Sequence, residues 1–404
     1  KRVRTMLMTT YRVPGVEGLS FSLNAQAVVD SFAAGIIWTD YPDSALIAEP
    51  DFVTDLLNIR WNVDPSIKFT GSWGTIQARH RTYVKSFIYP GRDRDPVTTS
   101  VHFTDLQYNT RVWQERLQLT MGATHNRTQV KANSDVGSGF KEQLGAYAQA
   151  KANILPNLDA MVGARFQYER IVGDTASRAD DEEVERVAQP TLAEPIFRAG
   201  LNYRPTSTTF LRASWGQAVR SPSLAERFAN YNLGGVNVVP NPAINIERGW
   251  TAELGARQYY NLAKGLSGWT DVAGFTMQFD NMVEFYADDE RLINRGEIGF
   301  QAQNVARASI TGVDLETSLA YDFADEDVQL SFTGGFTYIE PIDLNGDPAW
   351  DGDDSTDAII DAAVLALAGL SGPENPVTLP EDRPRTLKYR SKLTTRMAFN
   401  LEVR

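Results

Sequence analysis

Three histidines, His80, His102 and His125, are the residues best suited to hold a metal or move a proton. Their spacing follows no metal-ligand pattern, so each is expected to be a lining or loop residue. Asp343–Asp354 reads DLNGDPAWDGDD, with oxygen ligands at alternate positions, as calcium loops have. Gly346 and Pro348 depart from the EF-hand pattern, and no Glu stands at its twelfth position. The stretch from Asp343 to Asp357 therefore reads as a solvated acidic loop, with calcium as the alternative. Ser221 and Ser223 do not sit in a nucleophile elbow. Cysteine is absent, which excludes a disulfide framework and a thiolate metal site. No catalytic constellation emerges, so no enzyme, metal or cofactor is expected.

The elements that carry these residues alternate with period two. In Val313–Phe323, Val313, Leu315, Leu319, Tyr321 and Phe323 are separated by Asp314, Glu316, Ser318, Ala320 and Asp322. Successive side chains of a strand point to opposite faces, so this is a strand with unlike faces. The same alternation recurs at Leu19–Ala27, Ile67–Gly74, Leu117–Thr124, Leu158–Glu169 and Val328–Tyr338. A half-buried soluble strand would show the same pattern.

The connections are short at Pro14–Gly18, Val63–Ser66, Leu155–Asn157, Arg204–Ser207, Ala263–Gly268 and Ala324–Asp327. They are long at about 39–50, 77–99, 126–140, 172–193, 220–247, 287–305 and 341–382. Such alternation describes a meander of hairpins, with about 16 strands. Several are longer than the usual soluble strand of about 5–6 residues and match the roughly 9–11 that cross hydrocarbon. Aromatics flank the short turns: Tyr203 and Phe210, Tyr259, Tyr260 and Trp269, Tyr321 and Phe323. Rings at one height are expected where hydrocarbon meets headgroups. These features favour an all-β transmembrane antiparallel barrel, with apolar residues toward lipid and polar ones toward a wet lumen. A soluble propeller, the rival, needs a repeat of about 40–50 residues, and none is present.

The chain has 404 residues, is 42% hydrophobic and 22% charged, and carries a net charge of −12. That charge argues against nucleic acid. It is concentrated at Val172–Pro190, with six acids against two bases, and at Pro341–Asp361, with seven acids and no base. No apolar run of about 18 residues exists for a spanning helix. The opening KRVRTMLMTTYRVPG is not a signal peptide, so Lys1 is not expected to start the gene product.

Three stretches go beyond pattern. FLRASWGQAVRSPSLAERF (Phe210–Phe228), NPAINIERGWTAELGAR (Asn241–Arg257) and QNVARASITGVDLE (Gln303–Glu316) resemble the C-terminal barrel of TonB-dependent outer-membrane receptors. The matching residues are Arg220, Pro222, Ser223, Leu224 and Glu226; Asn241, Pro242, Ile244 and Glu247; Glu253, Leu254 and Gly255; and Asn304, Val305, Ala308, Gly312, Val313 and Asp314. Ile246 replaces the family's Pro, and Asp314 its usual Glu. LPEDRPRTLKYRSKL (Leu379–Leu393) resembles a later strand of the family.

The resemblance implies a 22-stranded barrel, about 16 strands of it here, with residues 1–404 as barrel. A plug domain and the last C-terminal strands are expected to lie outside this chain. It further implies uptake of a scarce nutrient driven by TonB, which would be contacted through the missing N-terminal region. Lipid, lipopolysaccharide, a nutrient ligand and, as a further candidate, a surface lipoprotein or larger envelope assembly are the expected partners. A passive porin-type channel and a structural accessory barrel are the alternatives. The motif residues are expected to be structural, because the motif recurs in receptors of unlike cargo. Arg220 and Glu226 would brace the wall, Pro222 would end strand pairing, and Gly255 and Gly312 would ease curvature or close approach. Cargo is not legible.

Overall fold

The computed structural model describes residues 1–35, 53–90, 96–132, 138–174, 186–188, 191–228, 231–233, 236–287, 299–323, 328–344 and 391–403. The period-two segments form strands of a single sheet. Fifteen of its eighteen strands are 11–24 residues long. They are β1 (Arg2–Arg12), β2 (Leu19–Gly35), β3 (Val53–Gly71), β4 (Gly74–Ile88), β5 (Val97–Val112), β6 (Leu117–Lys131), β7 (Gly139–Leu155), β8 (Leu158–Asp174), β10 (Leu192–Tyr203), β11 (Thr209–Arg220), β14 (Glu247–Ala263), β15 (Leu266–Ala287), β16 (Gly299–Asp322), β17 (Val328–Asp343) and β18 (Leu393–Val403). The short strands β9 (Arg186–Ala188), β12 (Tyr231–Leu233) and β13 (Val236–Val239) and the helix α1 (Leu224–Phe228) lie in connections. At about 3.3 Å per residue, even an 11-residue strand exceeds a hydrocarbon layer of about 30 Å. Among the described residues no helix is long and apolar enough to cross a membrane.

The long strands pair in chain order, each antiparallel to the next. Short connections fall on one edge of the wall and long ones on the other. Two expected boundaries move. Val63–Ser66 is not a turn: it lies inside β3, and the turn is at Ser72–Trp73. Asp64-Pro65-Ser66 mimics a turn, yet Pro65 is held in the strand because both flanks keep register with β2. The β5–β6 turn escaped notice because it contains neither Gly nor Pro. Trp113, Gln114 and Glu115 instead adopt φ of 55°, 55° and 65°. The β4–β5 and β6–β7 connections are also shorter than read, since β4 runs to Ile88 and β6 to Lys131.

Among the described residues no second layer covers the apolar face. Leu254 is 70% exposed, Val162 58% and Phe166 51%, which a soluble sandwich would not tolerate. Such rows suit lipid. The sheet also curls. α1 touches β7, β8 and β16, and β8 and β16 are five strand spacings apart in pairing order. A flat sheet would separate them by about 24 Å, against about 7.5 Å for a five-residue helix. Among the described residues β1 pairs only with β2 and β18 only with β17, and both are exposed along their length.

Candidate functional site

Leu254 and Val313 of the family motif face lipid, while its polar residues and glycines fall into two groups on the inner face. The first is at the long-connection end. Beyond Arg220, Ser223-Leu-Ala-Glu226 opens α1 with a reciprocal cap. Glu226 N donates to Ser223 Oγ at 3.1 Å, and Ser223 N donates to Glu226 Oε2 at 2.6 Å. Arg220 Nη1 donates to both Glu226 oxygens at 2.9 and 3.2 Å, and its Nη2 to Glu247 Oε2 at 3.3 Å. Glu247 also accepts from Val283 N at 2.8 Å. One arginine thereby ties the end of β11, the helix cap and the start of β14. Burial pushes the Glu226 carboxyl toward higher pKa, but the Ser223 amide and the Arg220 guanidinium outweigh it and hold it below the usual carboxylate value.

Asn241 and Asn304 extend this network to β16. Asn241 Nδ2 donates to Ala302 O at 2.8 Å, and Asn304 Oδ1 accepts from Asn245 N at 2.6 Å. Asn304 Nδ2 donates to Asn281 O at 2.8 Å, where Asn281 has φ of 56°. Pro222, Ile244 and Phe228 are almost fully buried. Phe228 fills the space above Gly173, where a Cβ would lie 2.4 Å from its ring. Arg227 is 1% exposed, and its Nε and Nη1 meet no protein acceptor. Lys141 Nζ reaches back to Ser221 O at 3.2 Å and Glu169 at 2.6 Å. Residues 221–228 and 241–246 are thus fastened to the inner wall rather than free in the mouth.

The second group lies toward the short turns. Arg212 binds Asp271 through two nitrogens at 2.8 and 2.9 Å and Glu253 at 2.7 Å. Arg257 reaches Asp271 at 2.7 Å, and its guanidinium stacks over Trp269 at 4.7 Å. Gly255 makes room for this cluster, since a Cβ there would lie 2.5 Å from Arg212 Cζ. A Cβ at Gly312 would meet Tyr338 O at 2.5 Å and the Phe275 ring at 2.7 Å. Asp314 is exposed on the same face, opposite Ala273 and Thr337. The inner face is not polar throughout: Phe275, Met277, Phe279 and Ile339 pack around Ala308 and Ile310. Arg212, Asp271 and Arg257 were not singled out from sequence. Their signal was present as charges on the polar parity of alternating strands, but parity does not say which strands are neighbours.

The histidines, far apart in sequence, come together on the outer face of β4–β6. His80 and His102 rings stack at 6.2 Å. His80 Nδ1 lies 2.9 Å from Thr104 Oγ1, and Thr82 Oγ1 joins His80 Nε2 at 3.1 Å to His102 Nδ1 at 3.2 Å. His125 is opposite Thr104 and 3.2 Å from Glu142. This grouping corrects their expected isolation as lining or loop residues. Among the described residues no group of three or more His, Cys, Asp or Glu could hold a metal ion. The acidic loop lies outside the described residues beyond Leu344.

A single-layer wall of long antiparallel strands, apolar outside and ion-paired inside, with a capped segment folded into one end, defines an outer-membrane barrel of the receptor type. The family model "TonB dependent receptor-like, beta-barrel" matches residues 9–392, and the chain belongs to that family. Among solved structures it is similar to a double mutant of the Serratia marcescens hemophore receptor HasR in complex with its hemophore HasA and heme. That match has a TM-score of 0.62 and 13% identity, and covers 84% of this chain and 54% of the other. The FrpB iron transporter of Neisseria meningitidis (F5-1 variant) matches with a TM-score of 0.61 at 14% identity, covering 86% and 54%. The siderophore receptor PirA of Pseudomonas aeruginosa matches with 0.56 at 16%, covering 84% and 62%. The chain thus spans between half and two thirds of these structures. No curated protein matches it. The chain is barrel wall of an outer-membrane protein of Gram-negative bacteria, with its apolar face in lipid.

Proposed function

We propose that this chain is the larger part of the wall of a TonB-energised importer, and that the wall acts as a rigid insulated sleeve and not as a catalyst. The observation that carries this reading is residues 221–228 and 241–246 clamped onto the inner face by Arg220, Glu226, Glu247, Asn241 and Asn304. Such a clamp narrows the mouth with ordered groups while keeping the wall stiff, which suits a gated passage better than an open pore. The motif residues act as braces, and recognition of cargo is left to the loops and to a plug domain outside this chain. The free edges of β1 and β18 support a further inference about architecture. Hydrocarbon offers no partner to unpaired backbone groups, at a cost of several kcal/mol each. We therefore assign both edges to pairing with further strands of the same receptor.

The solved relatives named above are described with heme, iron and siderophore, so metal chelates are the first ligands to try. The test is uptake of a radiolabelled ferric chelate by cells expressing the whole receptor, with and without TonB. Uptake that persists undiminished without TonB would establish a passive channel instead.

A further inference from the structure

We propose that the inner face of β1–β5 is a cationic track with an anion-holding hollow midway along it, so that the solute passed by this wall carries several carboxylate or phosphate groups. The inference rests on the chain lining a passage, as proposed above, and adds the charge of what travels there. Strand parity locates the track. β1–β5 carry nine bases: three on β1, two on β3, three on β4 and one on β5. Every one of them falls on the inner side of the register, where Asp30, Asp64 and Asp105 are the only acids of these strands. In a chain of net charge −12 this runs against the trend. The inner face of β16 is the reverse, with Asp314, Glu316 and Asp322 and no base.

The bases descend in rows. Nearest the long connections, Arg4 and Lys85 share a row with Val28 and Arg60. Four residues further down, Arg81 holds Asp64 at 2.7 Å, and two further Arg79 holds Asp105 at 2.7 Å. Two further still, Arg12 and Lys68 share a row with Ser20 and Gln77. At about 3.3 Å per residue the steps are about 13, 7 and 7 Å. A solute with several anionic groups can reach the next row before it leaves the last.

The three acids do not absorb this charge. Arg4 reaches only Gln26 Oε1, at 3.0 Å, and Lys85 Nζ rests over the Phe87 ring at 4.1 Å. Arg12 and Lys68 are exposed and make no ion pair among the described residues. Arg79 and Arg81, although paired, keep 51% and 56% of their side chains exposed. A wall that had only to stay wet could do so with Thr, Asn and Gln. Rows of one sign repel unless a counter-charge comes between them. Midway lies a hollow of about 590 Å³, with Thr10, Ser22, Asn24, Ser66, Arg79 and Arg81 in its lining. That size suits a small ligand. The hydroxyls and the amide donate to oxyanions, and the two guanidinium groups add charge-assisted bonds. Asp64, also in the lining, is already engaged by Arg81 and by Asn62 at 3.0 Å.

Single-channel current through the whole receptor in a planar bilayer, with urea raised until the bore conducts, reads the track directly. Citrate is expected to block the potassium chloride current. Lys68→Gln with Lys85→Gln is expected to raise its half-blocking concentration roughly tenfold or more, the low end of what a cleft lined by one sign adds to local ligand concentration. Block by the polycation spermine is expected to be no weaker in that variant, and Arg396→Gln, on the inner face of β18, is expected to leave citrate block unchanged. Should the double variant fail to show the heat-modifiable migration of a folded barrel, Arg4→Gln with Arg12→Gln tests the same track. Wild-type citrate block in a folded track variant would overturn the proposal. So would a conducting bore that citrate does not block, the result expected if carboxylates from another part of the receptor fill the hollow. Current that flows without urea would count against a TonB-gated importer and leave the citrate comparison intact, so the two readings fail separately.

Discussion

Asp271 is 7% exposed and is matched by two arginines on the inner wall. Removing one partner of a buried ion pair costs about 3–5 kcal/mol. Arg212 is about a third exposed and Arg257 remains, so Arg212→Ala is expected to destabilise by about 1–3 kcal/mol. Urea unfolding of the variant in lipid vesicles measures this, and a loss below about 0.5 kcal/mol would show that the cluster is solvated. At the mouth, the depressed pKa of Glu226 means that its bond to Arg220 contributes fully above the unfolded-state value near 4.5. The contribution is lost as pH falls through the lower folded value. The chain has no cysteine, so Ser223→Cys gives a single labelling site. Labelling by a pyridyl disulfide, which reacts in acid, carried out at each pH and normalised to a free thiol, should show protection across the neutral range and exposure only in strong acid. Glu226→Gln should label faster throughout.

The motif residues could be picked from sequence because Arg, Glu and Asn at fixed spacing outlast strand drift. The grouping of Arg212 with Asp271 could not, because those residues are 59 apart and meet only through β14. The histidines were legible individually and misleading together. A strand with its connection runs about 22 residues, which returns His80 and His125 to one row and His102 to the next, a regularity invisible until strand lengths are known.

The strand is where sequence reading works best in this molecule. Period two requires no long-range information, and the segments it marks at Leu19–Ala27, Leu117–Thr124, Leu158–Glu169 and Val328–Tyr338 each fall inside a long strand. It failed at Pro65 and at Trp113–Glu115, where local turn chemistry and observed backbone disagree. β16 offers a direct check. Single cysteines at Val313, Leu315 and Leu319 should react with a lipid-phase maleimide, and those at Asp314, Glu316 and Ser318 with a membrane-impermeant one. Reactivity that rises smoothly along the strand, without alternation, would remove the two-faced wall. α1 is held by shape as well as by charge. Gly173→Val places atoms inside the Phe228 ring and should free the helix, seen as faster cleavage by protease after Arg227.

At the scale of the whole molecule, the aromatic residues give the wall a height. Phe69, Trp73 and Tyr108 cluster on the lipid side of a short turn, with ring centroids 5.8 and 5.7 Å apart. Trp215 is further along its strand, opposite Ala199 and Ala252 on the lipid side. In single-tryptophan variants, Trp73 should be quenched most by lipids brominated near the headgroup and Trp215 by lipids brominated near the chain end. Equal quenching of both would remove the girdle.

The fastening of α1 to both β8 and β16 has a mechanical corollary. It joins two distant staves of the cylinder by a strut, so the arc from β8 through β11 and β15 to β16 cannot flex independently. If a domain inside the bore is dragged toward the cell interior, the recoil falls on that stiffened arc. Any widening of the passage is then confined to the unstrutted staves, β1 to β6 on one side and β17 to β18 on the other.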